Sequence, residues 1–163
     1  MGEKIALNPI GVVHRRASDE EVRRGRSGPE SEIEVYPKYK DALDGLEGFS
    51  HVFVLGYFHR LRPEQVGPLK VKPKRLVRFG LPLEELPLVG VFALDSPTRP
   101  NPIGLSLVRL LRVREQRRLD VSGLDYFDGT PVLDIKPYQP QYRTDDCTFP
   151  GWYQRLRDIA GSV

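Results

Sequence analysis

With 163 residues, 39% hydrophobic and 29% charged, the chain has enough apolar material to bury a continuous core without metals or disulfides, and one domain spanning 1–163 is expected. No apolar run approaches the roughly 20 residues of a membrane helix, and Met1-Gly2-Glu3-Lys4-Ile5 lacks a signal-peptide core, so a cytoplasmic protein is expected. The net charge of +3 is modest but clustered.

The basic clusters are Arg15-Arg16, Arg23-Arg24-Gly25-Arg26, Lys70 to Arg75, Arg112-Val113-Arg114 and Arg117-Arg118. Such clusters suit a phosphate-rich partner such as RNA, and they are equally what an ordinary solvated surface looks like. The single Cys147 has no internal partner and follows Asp145-Asp146. Like charge there disfavours a thiolate, which makes it a poor nucleophile.

In chain order, most segments are short, extended and punctuated by Pro or Gly, the pattern of a mainly β fold. Ile5 to Val13 begins as a first strand interrupted by Pro9 and Gly11. Ser31 to Tyr36 alternates polar and apolar, as a half-buried strand does. Lys38 to Leu46 reads as a short helix ended by Gly45 or Gly48. His51 to Phe58 is dense in β-branched and aromatic residues and reads as a central strand. A long irregular middle holds a strand around Leu69 to Lys72, and Leu88 to Leu94 reads as another. Leu105 to Val113 is a long strand that Glu115-Gln116-Arg117 turns back into Arg118 to Leu124. Asp128-Gly129 is a hairpin signal between Tyr126-Phe127 and Pro131 to Ile135. Pro150 to Ala160 places Trp152, Leu156 and Ile159 on one helical face, a docking helix.

The densest signal lies at Asp95-Ser96-Pro97-Thr98-Arg99-Pro100-Asn101-Pro102-Ile103-Gly104-Leu105-Ser106. Three prolines fix their own φ and push Arg99 and Asn101 toward extended backbone. Such a loop presents a guanidinium and a carboxamide in set directions; it also reads as a plain connector. His59-Arg60 closes an apolar strand, a common place for ligand contacts, or for a solvated strand end. Asp128-Gly129-Thr130 offers a carboxylate, a glycine and a hydroxyl that suit a ribose or an amine, or simply a turn. Asp134 and Lys136 share one side of an extended segment and can pair as ions. His14, His51 and His59 have no zinc-like spacing to Cys or carboxylates, so no metal is expected. Without a G-x-S-x-G elbow, a P-loop or G-x-G-x-x-G, acyl transfer by serine, P-loop chemistry and doubly wound dinucleotide binding lose support.

At these motifs the chain resembles the TsaA-like family, also called YaeB-like or TrmO, over nearly its whole length. The resemblance runs through Pro9 to Val13, Ser31 to Val35 and Leu46 to His51. It is sharpest in Gly90-Val91-Phe92, Arg99 to Ser106 and Asp128 to Tyr138. It implies a compact antiparallel β-barrel with one or two short helices, distinct from Rossmann methyltransferases. It also implies a homodimer using S-adenosylmethionine to methylate N6 of threonylcarbamoyladenosine in the tRNA anticodon loop.

The cofactor contacts so implied are Arg23, Arg24, His59, Arg60, Asp95, Leu105, Asp128, Gly129, Thr130 and Pro131. Arg99, Asn101, Asp134, Lys136 and Tyr138 fall to the acceptor or pocket, with Asp134 and Tyr138 weak candidates for a general base. Three departures stand out. The early segment reads Val22-Arg23-Arg24 in place of Pro-Arg-Gln. Asp95 replaces an arginine, which repels a cofactor carboxylate and favours its ammonium; either Arg23, Arg24 or Arg99 supplies the positive charge, or the ligand's orientation or identity has changed. The chain also stops after one short helix where some tRNA-modifying relatives continue. A small-molecule methyltransferase of the same fold, or a non-catalytic S-adenosylmethionine-binding module, are the alternatives.

Overall fold

The computed structural model describes residues 5–15, 18–24 and 30–160, which cluster into two compact units. In the first, through His59 and again from Ile103 to Pro140, strands β1 (Gly11–His14), β2 (Ser31–Val35) and β3 (His51–Tyr57) precede the rest of a barrel. In the second, from Arg60 to Pro102 and from Gln141 onward, lie β4 (Lys70–Val71) and β5 (Val89–Gly90). The chain then returns to the barrel with β6 (Ile103–Arg114), β7 (Arg118–Ser122) and β8 (Pro131–Pro137). Helix α1 (Asp19–Arg24) follows β1, and α2 (Gly151–Ala160) belongs to the second unit.

The barrel closes in the order β1-β2-β7-β6-β3-β8, every neighbouring pair antiparallel. Its lumen is filled by the inward half of a period-two pattern: Val13, Ile33, Val35, Val52, Val54, Val108, Leu119, Val121 and Val132 are buried. Each such side chain removed from water stabilises the fold by roughly 1.5–3 kcal/mol, and β-branched residues suit the pleat of a small, side-chain-filled barrel. The β6–β7 hairpin turns through Glu115 and Gln116 at φ 49° and 55°. Positive φ at both central residues is the twist-matched geometry of tight hairpins.

The second unit is built around Leu81, Leu86 and Leu156, with Leu76 and Trp152 packed on them. Here α2 does dock through Trp152 and Leu156, as its helical face predicts; the side chain of Ile159 lies outside the described residues. Lys72 ties this unit together by donating from Nζ to the Leu83 carbonyl at 2.9 Å.

The differences from sequence expectation have local causes. The first strand starts only at Gly11, because Pro9 cannot donate to a ladder. Lys38 to Leu46 is a 3₁₀ helix over Pro37–Leu43. Leu88 to Leu94 keeps two strand residues before a 3₁₀ turn at Val91–Ala93. The hairpin read at Asp128-Gly129 does not form: β8 pairs with β1 and β3, while β7 pairs with β2 and β6.

Candidate functional site

The Asp128 turn is docked onto the end of β1. The Asp128 carboxylate accepts the Arg15 backbone N–H at 2.8 Å, and the Gly129 N–H donates to the Val13 carbonyl at 2.8 Å. Thr130 N–H closes the turn on the Phe127 carbonyl at 3.2 Å, and the Thr130 carbonyl accepts from Val13 N–H at 3.0 Å. Gly129 sits at φ 75°, where a Cβ is strained. Thr130 is only 2% exposed, so its role is to anchor the turn rather than to meet bulk solvent. Arg15 is itself braced, donating from Nε to Ser31 Oγ at 2.9 Å and from its terminal nitrogen to the Leu124 carbonyl. Burial lowers its pKa, opposed by the nearby Asp125 charge.

Register brings further predicted residues to the same rim. Because β3 and β6 run antiparallel, the end of one lies beside the start of the other: Tyr57 pairs with Ile103, Gly56 with Gly104 and Leu55 with Leu105. Val132, at the start of β8, also pairs with Gly56. His59 stands two residues past β3 and is exposed. Leu105 is 57% exposed on the outward face of β6. The next residue, Ser106, donates its hydroxyl to the Asp125 carboxylate at 2.8 Å. A carboxylate is acceptor-only when ionised, the kind of group that pairs with a ribose hydroxyl.

Asp134 and Lys136 lie farther along β8, and Tyr138 follows its last residue. Asp134 and Lys136 form an ion pair at 3.0 Å, both about half exposed, the plain pairing their spacing allows and worth little to stability. Tyr138 packs edge-on against Phe53, with ring centroids 5.7 Å apart, and its N–H donates to the His51 carbonyl at 3.0 Å.

Asp95, Arg99 and Asn101 belong to the second unit, as does Arg60. Arg99 is mostly covered at 20% exposed, and its guanidinium lies 4.0 Å from the Asp95 carboxylate, which is 88% exposed. Asp95 therefore meets a cation of its own loop, while Asn101 is exposed. Arg23 and Arg24 close α1, but their side chains lie outside the described residues.

Among the described residues, His14, Glu32 and Glu34 bring potential ligand atoms within 4.8 Å of one another. Basic side chains already engage the two carboxylates. Glu34 pairs with Arg117 and with His14 Nε2 at 2.7 Å. Glu32 pairs with Arg114 at 2.6 Å and Arg118 at 3.4 Å. Asp120 holds Arg114 at 2.7 Å and also Arg112. Hydrogen bonds from Arg114 first and Arg112 next keep the Asp120 carboxyl below its ordinary value. This ladder, more than a phosphate surface, uses much of the predicted Arg112 to Arg118 cluster.

Sequence reasoning missed Tyr126, which is buried in the lumen and donates its hydroxyl to the Val54 carbonyl at 2.9 Å. The available signal was a pair of lone glycines, Gly56 and Gly104, inside strand patterns, which mark close approach.

The profile of the tRNA-methyltransferase O N-terminal domain matches residues 21–144. A probable S-adenosyl-L-methionine-binding protein of Methanothermobacter thermautotrophicus is 44% identical over 138 residues, covering 83% of this chain and 90% of its own. The tRNA (adenine(37)-N6)-methyltransferase of Escherichia coli is 45% identical over 103 residues, 61% of this chain but only 40% of that enzyme. The crystal structure of TrmO from Pseudomonas aeruginosa superposes with a TM-score of 0.66 at 33% identity, covering 90% of this chain and 62% of that one. The chain thus spans most of its archaeal relative and under two thirds of the bacterial proteins. On the profile match and this shared barrel, the chain belongs to the tRNA-methyltransferase O N-terminal domain family.

Proposed function

We propose that this protein transfers a methyl group from S-adenosylmethionine to N6 of an adenosine in tRNA, with threonylcarbamoyladenosine of the anticodon loop as acceptor. The observation that carries this reading is the rim itself: a braced carboxylate turn, Asp128 to Pro131, beside Leu105 and the β3 end, in a chain 45% identical over 103 residues to a tRNA adenine N6-methyltransferase. Asp128 to Pro131 and Leu105 hold the nucleoside part of the cofactor. His59, Arg60, Arg23 and Arg24 orient its amino-acid end and the acceptor. Arg99 and Asn101 shape the acceptor side, and Arg99 supplies the positive charge that Asp95 removes. The sulfonium is already an activated leaving group, so the residues contribute mainly alignment of nucleophile, methyl carbon and sulfur.

Residues 1–163 serve as one functional domain, and action on tRNA, which the likeness to a tRNA adenine N6-methyltransferase supports, fits a cytoplasmic protein. No helix among the described residues is long and apolar enough to cross a membrane. The protein works as a homodimer. The outward side of β3 and β6 supports this, because Tyr57, Leu105, Leu107 and Leu111 are exposed there with Phe53 opposite Leu107. A contiguous apolar strip on one sheet face suits a self-complementary two-fold contact.

A second reading, a non-catalytic S-adenosylmethionine-binding module, is favoured by one fact: the archaeal relative matched over 90% of its length is named only for binding. The deciding experiment incubates the protein with methyl-labelled cofactor and tRNA carrying threonylcarbamoyladenosine, alongside calorimetric titration of the cofactor. Label in the tRNA supports methylation of the anticodon loop. Binding heat without transfer to tRNA supports the second reading, and no binding heat at millimolar cofactor overturns both.

A further inference from the structure

Gly56 and Gly104 face each other directly across the β3–β6 ladder, both on the inward side of the barrel. Two side-chain-free positions in register leave a notch in the wall, and the Tyr126 ring fills it. A Cβ at Gly56 falls 2.9 Å from Tyr126 Cδ2 and closer still to Cε2. A Cβ at Gly104 falls 2.9 Å from the Tyr126 hydroxyl and closer still to Phe58 Cζ. Phe58 stands edge-on to Tyr126, centroids 5.5 Å apart and planes at 88°. The Tyr126 hydroxyl is fixed on the Val54 carbonyl, two residues back along β3.

The chain positions of these residues give the notch its meaning. Phe58 immediately precedes His59, Gly104 immediately precedes Leu105, and Tyr126 precedes Asp128 by two residues. Close-packed interiors transmit displacements rather than absorb them. We propose that Tyr126 is a positioning residue: seated in the notch that Gly56 and Gly104 leave, it sets the mutual placement of the β3 end, Leu105 and the Asp128 turn, and thereby cofactor affinity. The inference rests on the reading of that rim as the cofactor site.

The test titrates S-adenosylmethionine into Gly104→Ala, Tyr126→Phe, the relief variant Gly104→Ala with Phe58→Leu, and two controls. Val121→Ala lowers stability from β7, which carries none of the three segments. Asp128→Ala probes the rim directly. Gly104→Ala is expected to bind at least tenfold more weakly with its far-ultraviolet dichroism unchanged, and the relief variant to recover to within about threefold of the parent. Tyr126→Phe keeps the ring and loses the anchor, so a threefold to tenfold loss is expected. Val121→Ala should melt earlier yet bind normally.

If Gly104→Ala does not fold, Tyr126→Phe decides, and parental affinity in that folded variant overturns the proposal. Parental affinity in folded Gly104→Ala, or an affinity loss in Val121→Ala that tracks its melting temperature equally, also overturns it. Unchanged binding by Asp128→Ala shows instead that the rim reading has failed, while loss there with normal binding by the notch variants refutes the role of Tyr126 alone.

Discussion

Replacing Asp128 separates two roles that share one carboxylate. In the folded protein it accepts the Arg15 backbone N–H at 2.8 Å and holds the turn on β1. A single hydrogen bond of this kind contributes about 1 kcal/mol, less where water replaces the lost acceptor. For a protein of this size that is a fall of about 2–4 °C in melting temperature. If the same carboxylate holds the ribose of the cofactor, Asp128→Ala also loses a charge-assisted bond worth about 1.5–3 kcal/mol, a loss of about 10–150-fold in affinity. Asp128→Asn discriminates between the two. Its amide oxygen still accepts Arg15 N–H, so thermal stability returns toward the parent, while the neutral acceptor leaves affinity reduced. Differential scanning calorimetry and isothermal titration on the three proteins read the two effects separately. Affinity within twofold of the parent in Asp128→Ala, with only the small fall in melting temperature, refutes the reasoning and leaves Asp128 a turn residue.

Other outcomes follow from the same geometry. Asp120 and Glu34 are held below their ordinary carboxyl values, Asp120 chiefly by Arg114 and Glu34 chiefly by Arg117. Their folded pKa values are depressed, so their contribution is complete above about pH 5 and lost as pH falls below about 4; Asp120→Asn should flatten that acid limb in urea melts at a series of pH values. Leu107→Glu should convert a dimer to monomer in light scattering at constant fold, and a parent that is already monomeric removes the β3–β6 strip as an interface. Arg99→Ala breaks a 4.0 Å pair with an exposed partner and uncovers the packing of a mostly covered side chain, so it should lower the melting temperature by no more than about 2–4 °C while weakening cofactor or tRNA binding; parental binding removes Arg99 from the site.

Most of the barrel was legible because its lumen requires strict alternation. Ile33 and Val35 in β2 and Leu119 and Val121 in β7 point inward as their alternation predicts, while β3 was legible from its density of β-branched and aromatic residues, of which Val52 and Val54 are buried. The Glu115-Gln116 turn was legible because it joins neighbours in both sequence and space. Asp128-Gly129 was misread for the converse reason. The dipeptide does turn the chain, but the partners of β8 are β1 and β3, and a local turn rule carries no information about such pairings. Strand ends failed where Pro9 removes a donor and where Val91–Ala93 curls into a 3₁₀ turn.

Within the site, the chemistry-bearing turns could be read from residue types, while their convergence could not. The juxtaposition of Leu105, Val132 and the end of β3 depends on register across strands separated by dozens of residues. Tyr126 escaped because an aromatic filling a glycine notch has no sequence pattern of its own. Only the two glycines that make room for it do.

The account stands on the rim of Asp128 to Pro131, Leu105 and the β3 end as the place where S-adenosylmethionine binds. Amide chemical-shift mapping of the labelled protein during cofactor titration tests this most directly. The account predicts saturable shifts at Leu105, Gly129, Thr130 and His59, larger than those at β2 and β7 residues such as Ile33 and Leu119. Shifts confined to other surfaces, or none at saturating cofactor, contradict it.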